Sequence, residues 1–480
     1  MNIVMVSSEV LPFSKTGGLS DVSYSLSKEY VKLGHKVSII TPFYKDVEKK
    51  TRSKLKMVMK DVIVTMNWRK PTFNLFHTEI DGIDYYLIQN KQYFERSAIY
   101  GYFDDGERFA FFSLAAIEIM KKLPYKLDVC HVHDWQGAMI PCLLKEKYID
   151  DEVLGKIKSV LTIHNPMFKG YLNKDSLFDL YNLGTHLFDE GRVRLDNQVS
   201  TLKAGIVYAD KITTVSPTHK EELKTKEGSK GLWFDLSLRG DDFVGIVNGI
   251  DYKEFNPSKD KLIYKNYNSK NVLKEKKFNK IDFSKEYNLN PELPLFSVVS
   301  RLTSQKGLDL IKAMAEFLVN QGASFAVLGS GESEAENYFN DLYRRHPNNV
   351  MVYIGYNNVL AHRIYAASDF FIMPSAFEPC GIGQMIAMRY GTLPIVRRTG
   401  GLKDTVMPLD ENYSNYKVAT GLGFDNYSQI EALSTVTKAL ILYSGKEKEF
   451  NKMIVNAMKV DHTRRKPALE YIALYESIKK

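Results

Sequence analysis

Asp369-Phe370-Phe371-Ile372-Met373-Pro374-Ser375-Ala376-Phe377-Glu378-Pro379-Cys380-Gly381-Ile382-Gly383-Gln384 begins with a short apolar run stopped by proline. A run that short and that apolar, ended by Pro374, suits a buried parallel strand better than a helix. A turn containing glycine follows, then a helical pattern over Met385 to Met388. The same order recurs at once: Leu393 to Val396, then Arg397-Arg398-Thr399-Gly400-Gly401-Leu402. In a doubly wound sheet, turns of this kind lie at the carboxyl ends of the strands, where ligands bind. A helix starting at Gly381 or Gly401 would aim free N–H groups at an anion, with Glu378 in the first turn within reach of the ligand.

Working outward, the second half opens on a strand from Phe296 to Val299 followed by Ser300-Arg301-Leu302-Thr303-Ser304-Gln305-Lys306-Gly307. Leu308, Ile311, Met314 and Leu318 then space one buried helix face. Phe325 to Leu328 ends in Gly329-Ser330-Gly331, but position 334 is Glu, so the dinucleotide fingerprint is incomplete. Val350 to Ile354 is a further strand, ending in Gly355-Tyr356, and helical patterns run from Gly423-Phe424 to the end.

The first half starts the same way. Ile3 to Ser7 reads as a strand, Lys15-Thr16-Gly17-Gly18-Leu19-Ser20-Asp21 as a turn, then a helix to about Leu33 and a strand from Lys36 to Thr41. Gly17 and Gly18 would let the backbone approach a phosphate and Lys15 would add positive charge, although the Gly-Lys-Ser/Thr ending of a Walker loop is absent. Residues 57 to 90 alternate as short strands, and Tyr93 to Arg96 with Tyr100 to Tyr102 form an aromatic loop suited to core packing or to a sugar. Glu107 to Lys122 is an amphipathic helix. His131 and His133 flank a strand end beside Asp134, with no third ligand at metal spacing. His164 closes the strand Val160 to Ile163. Periodicity fades from Glu221 to Asp242, a surface excursion; Gly245 to Asp251 reads as strand and turn, and the polar run 258 to 292 separates the halves.

At 480 residues the chain has room for two or three domains, and its net charge of +8 is spread out apart from some concentration between Lys265 and Lys280, read as a solvated lysine-rich face. That charge permits an anionic ligand without demanding nucleic acid. Cys130, Cys142 and Cys380 make no disulfide framework and no metal spacing, which points to a reducing, cytoplasmic setting. No long apolar run suggests a membrane span.

These residues resemble bacterial glycogen synthases and plant starch synthases over nearly the whole chain. The resemblance rests on Lys15 to Asp21, His131 to Gln136, Thr162 to Asn165, Lys203 to Pro217, Asn248 to Asp251, Ser300 to Gly307, Phe377 to Gln384 and Thr399 to Leu402. It implies the GT-B fold, two doubly wound Rossmann-like α/β domains facing across a cleft. The domains are expected at 1–257, on the glucan acceptor side, and 258–460, on the sugar-nucleotide side, with 461–480 a helix returning to the first. The implied reaction moves glucose from ADP-glucose to the non-reducing end of an α-1,4-glucan with retention. No metal is expected, because no paired carboxylates are placed to carry one between phosphates, and no cofactor is expected, because nothing marks a cofactor lysine.

The resemblance also implies roles. Lys15, Arg301 and Lys306 would hold the diphosphate, and Glu378 would bind glucosyl hydroxyls near the reacting carbon. His164 would contact the sugar and present its carbonyl to the anomeric centre; Asn248 would contact hydroxyls; Tyr356 would stack on the base; Asp21 and Asp134 would lie in the cleft. Gly17, Gly18, Cys380, Gly381, Gly383, Thr399, Gly400 and Gly401 complete the expected substrate-binding set. The implied partners are the donor and glycogen, with no nucleic acid and no membrane, and a homo-oligomer is left open. The loop Pro166-Met167-Phe168-Lys169-Gly170 departs from the usual aliphatic-Ala-aromatic-Gln-Gly run, Gly383 replaces a frequent Thr or aliphatic, and Asp461 to Arg464 stands where a Trp-containing signature is usual. These changes bear on acceptor handling and fine positioning rather than on the reaction. The alternatives are another sugar-nucleotide GT-B transferase, a pyridoxal-phosphate phosphorylase, a nicotinamide oxidoreductase and a non-catalytic glucan-binding protein. A glycosidase would need two facing carboxylates, and Glu378 is the one strong candidate.

Overall fold

The computed structural model describes residues 1–45 and 54–479. The chain divides into two compact units, Met1–Ile246 with Arg464–Lys480, and Val247–Thr463. The division falls ahead of the expected residue 257. Segment 247–257 belongs to the second unit because Ile250 N–H donates to the His462 carbonyl (2.8 Å) and the Tyr252 hydroxyl to the Val460 carbonyl (3.1 Å).

The second unit carries a six-stranded parallel sheet. Its order is Val350–Ile354, Ser324–Gly329, Leu295–Val299, Phe370–Met373, Leu393–Arg397, Leu422–Phe424. The strands are continuous apolar runs because helices cover both faces, as the sheet of a doubly wound fold requires. Leu308–Asn320 buries Leu308, Ile311, Met314 and Leu318 as its spacing demands, with Leu310, Ala315 and Val319 beside them. The order reverses between Leu295–Val299 and Phe370–Met373. Switch points of this kind leave a crevice outside the strand ends, and both motif loops, 300–307 and 374–382, start there.

The first unit repeats the plan. Its nine-stranded sheet runs Phe243–Gly245, Lys211–Thr214, Lys158–Ile163, Val129–His133, Asn2–Val6, Lys36–Pro42, Ile83–Gln89, Thr72–Ile80, Lys56–Ile63. The last two are antiparallel additions, and burial drops across them until Lys56–Ile63 is mostly in water. The switch point here lies between Asn2–Val6 and Val129–His133. Helix Arg465–Lys479 packs against Gly18–Lys32 within this unit. Its Tyr475 hydroxyl meets the Tyr30 hydroxyl (3.1 Å) and His131 Nδ1 (2.7 Å).

Three expectations are corrected. The excursion 221–242 takes in the end of helix Pro217–Leu223 and the short helices Lys226–Ser229 and Trp233–Leu238; helices this short give too few turns for a periodicity to show. The strand expected at Gly245 to Asp251 is instead Phe243–Gly245. The polar run 258–292 is no separator: it holds helix Val272–Glu286, whose Lys276 and Lys280 are buried rather than solvated. Lys276 Nζ donates to the carbonyls of Tyr365 and Ala366 and to Thr392 Oγ1, and Lys280 pairs with Asp369 at 2.7 Å. Burial lowers the Lys276 pKa to about 7, whereas Asp369 helps hold Lys280 charged. Among the described residues no helix is long and apolar enough to cross a membrane.

Candidate active site

In the second unit the structure brings Lys306 and Glu378 together at the switch point. Lys306 ends a single 3-10 turn, Ser304–Lys306, and its Nζ lies 2.6 Å from Glu378 Oε2. The Ser375 hydroxyl donates to the same oxygen (3.0 Å), and Glu378 is only 6% exposed. Glu378 is not in a helix's first turn, as its sequence suggested. The helix is Gly383–Arg389, and Glu378 sits in the loop before it, because Pro379 and the positive φ of Gly381 (69°) delay the helix.

That loop is built from its own backbone. The Glu378 carbonyl accepts from Gly401 N–H (3.1 Å), and helix Gly400–Thr405 begins against it. Gly400 has φ +44°, and a Cβ there would lie 2.0 Å from the Glu378 carbonyl oxygen, so no other residue fits without moving the candidate carboxylate. Its counterpart in the first unit differs: Gly17 is extended (φ −150°), and a Cβ on Gly18 would meet nothing within 4 Å. The shared Thr-Gly-Gly-Leu-x-Asp therefore serves close backbone packing at Gly400 and an open approach at Gly18. A Cβ on Gly329 would lie 1.9 Å from the Ser300 carbonyl oxygen. The incomplete fingerprint thus seats the 300–302 loop.

Arg301 is exposed and donates to Gln305 Oε1 (3.3 Å), and the Gln305 carbonyl accepts from Ala376 N–H (2.9 Å). The two motif loops are tied together by that bond. Arg397 completes the support, donating from Nη1 to the carbonyls of Ala376 (2.7 Å) and Ser375 (3.2 Å). Thr399 is buried and caps Gly400–Thr405 through its position, without a side-chain cap bond. Asn248 directs its backbone N–H at the Cys380 sulfur, and burial pushes the Cys380 thiol to about 12, so it stays protonated. Tyr356, at the end of Val350–Ile354, is 88% exposed. Gly383 approaches the Phe371 ring and Met373 sulfur, where a larger residue would need them to shift.

In the first unit Lys15 pairs with Asp21 at 2.7 Å in a half-exposed setting. Beneath it lies Glu9, which the sequence did not single out. Its carboxylate accepts from Thr16 N–H and, at 2.9 Å, from the Thr16 hydroxyl. Burial raises the Glu9 pKa, against the lowering effect of these donors. Glu9 follows the first strand in a stretch without a motif, so only its position after a strand could have marked it.

Asp134, at φ +50° just past Val129–His133, accepts at Oδ1 from His164 N–H (2.7 Å) and Asn165 N–H (3.2 Å). It shapes the turn that carries His164. The His164 ring faces His133: Nε2 and His133 Nδ1 are 3.1 Å apart, so one of them carries the proton. Burial lowers the His164 pKa to about 4 and that of His131 to about 3, so both rings are neutral near pH 7. Both ring nitrogens of His131 are engaged, Nδ1 by the Tyr475 hydroxyl and Nε2 by Thr162 Oγ1 (2.6 Å), whereas His133 uses Nδ1 on His164 and its buried Nε2 has no hydrogen-bond partner among the described residues. The aromatic loop packs: Tyr93 and Phe94 are buried, and Arg96 pairs with Asp104 at 2.6 Å.

Burial raises the Asp134 pKa to about 7, only partly opposed by the two N–H donors, with the nearby Glu9 charge adding to the rise. Between about pH 4 and 7 the folded state keeps a proton that the unfolded state has released. Unfolding free energy contributed by Asp134 therefore falls as pH rises through that window and is flat outside it. The slope is at most about 1.4 kcal/mol per pH unit. Asp134→Asn tolerates the left-handed backbone and removes the slope. His131, His133 and His164, whose pKa values are lowered by desolvation, give the opposite trend below pH 6.5, so the quantity to follow is wild type minus variant. Trp68, Trp135 and Trp233 all lie in the first unit, so urea unfolding by tryptophan fluorescence reports it selectively. A difference that stays constant from pH 4 to 7 would contradict the assignment.

Comparison with known proteins now adds to this geometry. Residues 2–237 match the family described as starch synthase catalytic domain, and residues 279–459 match glycosyl transferases group 1. The chain is 42% identical over 481 residues to a glycogen synthase of Clostridium kluyveri, and 42% over 480 residues to one of Bacillus anthracis, covering 100% of each chain and of this one. Among solved structures it is similar to the catalytic domain of starch synthase IV from Arabidopsis thaliana bound to ADP and acarbose. That match has TM-score 0.89 and 30% identity, and covers 100% of this chain and 99% of that one. A sucrose-phosphate synthase from Thermosynechococcus elongatus, at 17% identity and TM-score 0.60 over 100% and 99% of the two chains, shares the fold.

Proposed function

Because this chain belongs to the glycogen synthase and starch synthase family of glycosyltransferases, we propose that it lengthens an α-1,4-glucan by glucosyl transfer from ADP-glucose with retention. The observation that carries this reading is the Lys306–Glu378 pair at the switch point of the second sheet. Cleavage of a glucosyl–diphosphate bond leaves negative charge on phosphate and positive character on the sugar. A cation and a carboxylate held side by side answer both. Lys306, with Arg301, is assigned to the diphosphate and Glu378 to the glucosyl hydroxyls near the reacting carbon. Tyr356 is assigned to stacking on the base and Asn248 to glucosyl hydroxyls; Cys380, Gly381, Gly383, Thr399, Gly400 and Gly401 shape the loops that approach the donor.

The first unit is assigned to sugar and acceptor. His164 contacts the glucosyl group and offers its carbonyl to the anomeric centre, held by Asp134. Lys15, in the turn of Gly17, Gly18 and Asp21 braced by Glu9, is assigned with Arg301 and Lys306 to the donor diphosphate. In this reading the units act as acceptor-side and sugar-nucleotide-side domains, and the protein works in the cytoplasm.

The ADP in the Arabidopsis structure supports adenine as the donor base. ADP-glucose is expected to give the higher kcat/KM in competition with UDP-glucose, with glycogen as acceptor. Equal or better transfer from UDP-glucose would reverse the assignment.

A further inference from the structure

The loop that departs from the family pattern, residues 166–170, has an unusual build. Pro166 and Lys169 are buried, yet the two residues between them face water: Met167 is 50% and Phe168 62% exposed. Lys169 is 4% exposed. Its Nζ donates to the Pro166 carbonyl, closing the turn on itself, and to the Ser229 carbonyl (2.8 Å). The Lys169 carbonyl accepts from Leu202 N–H (3.1 Å) and the Ser200 hydroxyl (2.8 Å), and the Gly170 carbonyl from Thr201 N–H (3.1 Å). At the other end Asp134 holds His164 and Asn165, and Asn165 Oδ1 accepts from Met167 N–H (3.0 Å).

A buried amine is costly unless its hydrogens are used, and here burial lowers its pKa to about 8. Two isolated exposed apolar residues need no explanation on a mobile loop. On a turn fixed at both ends by buried polar groups, they are held out as a fixed feature. A glucan chain is a matching occupant: its rings present apolar C–H faces between hydroxyl edges, and an aromatic face takes up such a surface while neighbouring amides serve the hydroxyls. The turn begins three residues beyond Ile163, directly after His164 and Asn165.

We propose that Met167 and Phe168 form a lip on which the acceptor glucan stacks, and that Lys169 is the positioning residue that holds this lip out. The proposal rests on the glucan-transferring reading above and adds the residues that grip the acceptor. Lys169 acts through the turn, so its loss reaches the acceptor by letting Met167 and Phe168 fold back.

The test uses the full chain with maltotetraose and glycogen as probes. Phe168→Ala is expected to raise the maltotetraose KM about tenfold, a loss of about 1.4 kcal/mol, and to move the donor KM much less. Phe168→Trp should keep acceptor affinity. Lys169→Met should reproduce the acceptor defect with the fold retained by circular dichroism, and Lys169→Gln, which keeps N–H donors, should restore part of it. A purely structural Lys169 would lower the melting temperature and leave the ratio of acceptor KM to donor KM unchanged. Acceptor KM unchanged in both Phe168→Ala and Lys169→Met overturns the proposal. If the wild type transfers glucose from no donor, electrophoresis through glycogen-containing gels separates the two failures. Weaker retardation of Phe168→Ala than of wild type keeps the lip and rejects the transferase reading, and equal retardation rejects the lip.

Discussion

Lys306→Ala is expected to lower turnover at saturating donor by about 10²–10³, and to weaken binding of free ADP by less. The magnitude is that of removing one preorganised group opposite developing oxyanion charge. The side chain starts from a defined place, 2.6 Å from Glu378 Oε2 and largely buried. In the proposed reaction, negative charge grows beside this ammonium as the bond to phosphate breaks, so its contribution would be larger in the transition state than with bound product. The loss also leaves a buried carboxylate without its cation, and breaking such a pair costs roughly 3–5 kcal/mol. Calorimetric melting must therefore accompany the kinetics. Lys306→Arg should restore only part of the rate, because a planar fork does not fit a site shaped for a point charge. Normal turnover with a raised donor KM in Lys306→Ala would mean uniform binding, and the leaving-group role would be withdrawn.

Glu378→Gln is expected to lower turnover about 10²-fold or more while the donor dissociation constant stays near its wild-type value. The amide keeps the shape, and its oxygen can still accept from the Ser375 hydroxyl and Lys306, which meet the carboxylate at 3.0 Å and 2.6 Å. What disappears is the negative charge that, in the proposed reaction, would face a sugar becoming cationic. Because the two side chains touch, the effects will not add. Combining Lys306→Ala with Glu378→Gln removes both charges, so the double variant should melt closer to wild type than Lys306→Ala alone. Full turnover in Glu378→Gln would take this residue out of the chemistry. A double variant less stable than Lys306→Ala would deny that the pair governs local stability.

Much of this is legible in the sequence. Apolar runs stopped by Pro374, Gly329 or Gly355 marked the strands, and the spacing of Leu308, Ile311, Met314 and Leu318 marked the helix face that is buried. Such signals are local, set by side-chain size, backbone freedom and period. They placed Lys306, Glu378, His164 and Lys15 at strand ends and therefore near a ligand crevice. They failed where the period was too short or the charge too dense. The helices within 226–238 span too few turns to declare themselves, and nothing in Val272–Glu286 told the buried Lys276 from its solvated neighbours. Lys276 is inside because three acceptors far along the chain, Tyr365, Ala366 and Thr392, converge on it.

The local sequence was enough for two doubly wound α/β units, the turns at their strand ends, and the charged and glycine residues those turns present. The tertiary structure alone decided the partners. Lys306 and Glu378 are 72 residues apart, and His131 and Tyr475 are 344 apart. Glu9 acquires its role from a turn folded over it, and Lys169 from a carbonyl 60 residues away. Strand and helix identity follow from contacts within a few residues. Ion pairing and burial depend on which strand ends the sheet order brings side by side, and that order is set by packing the whole core.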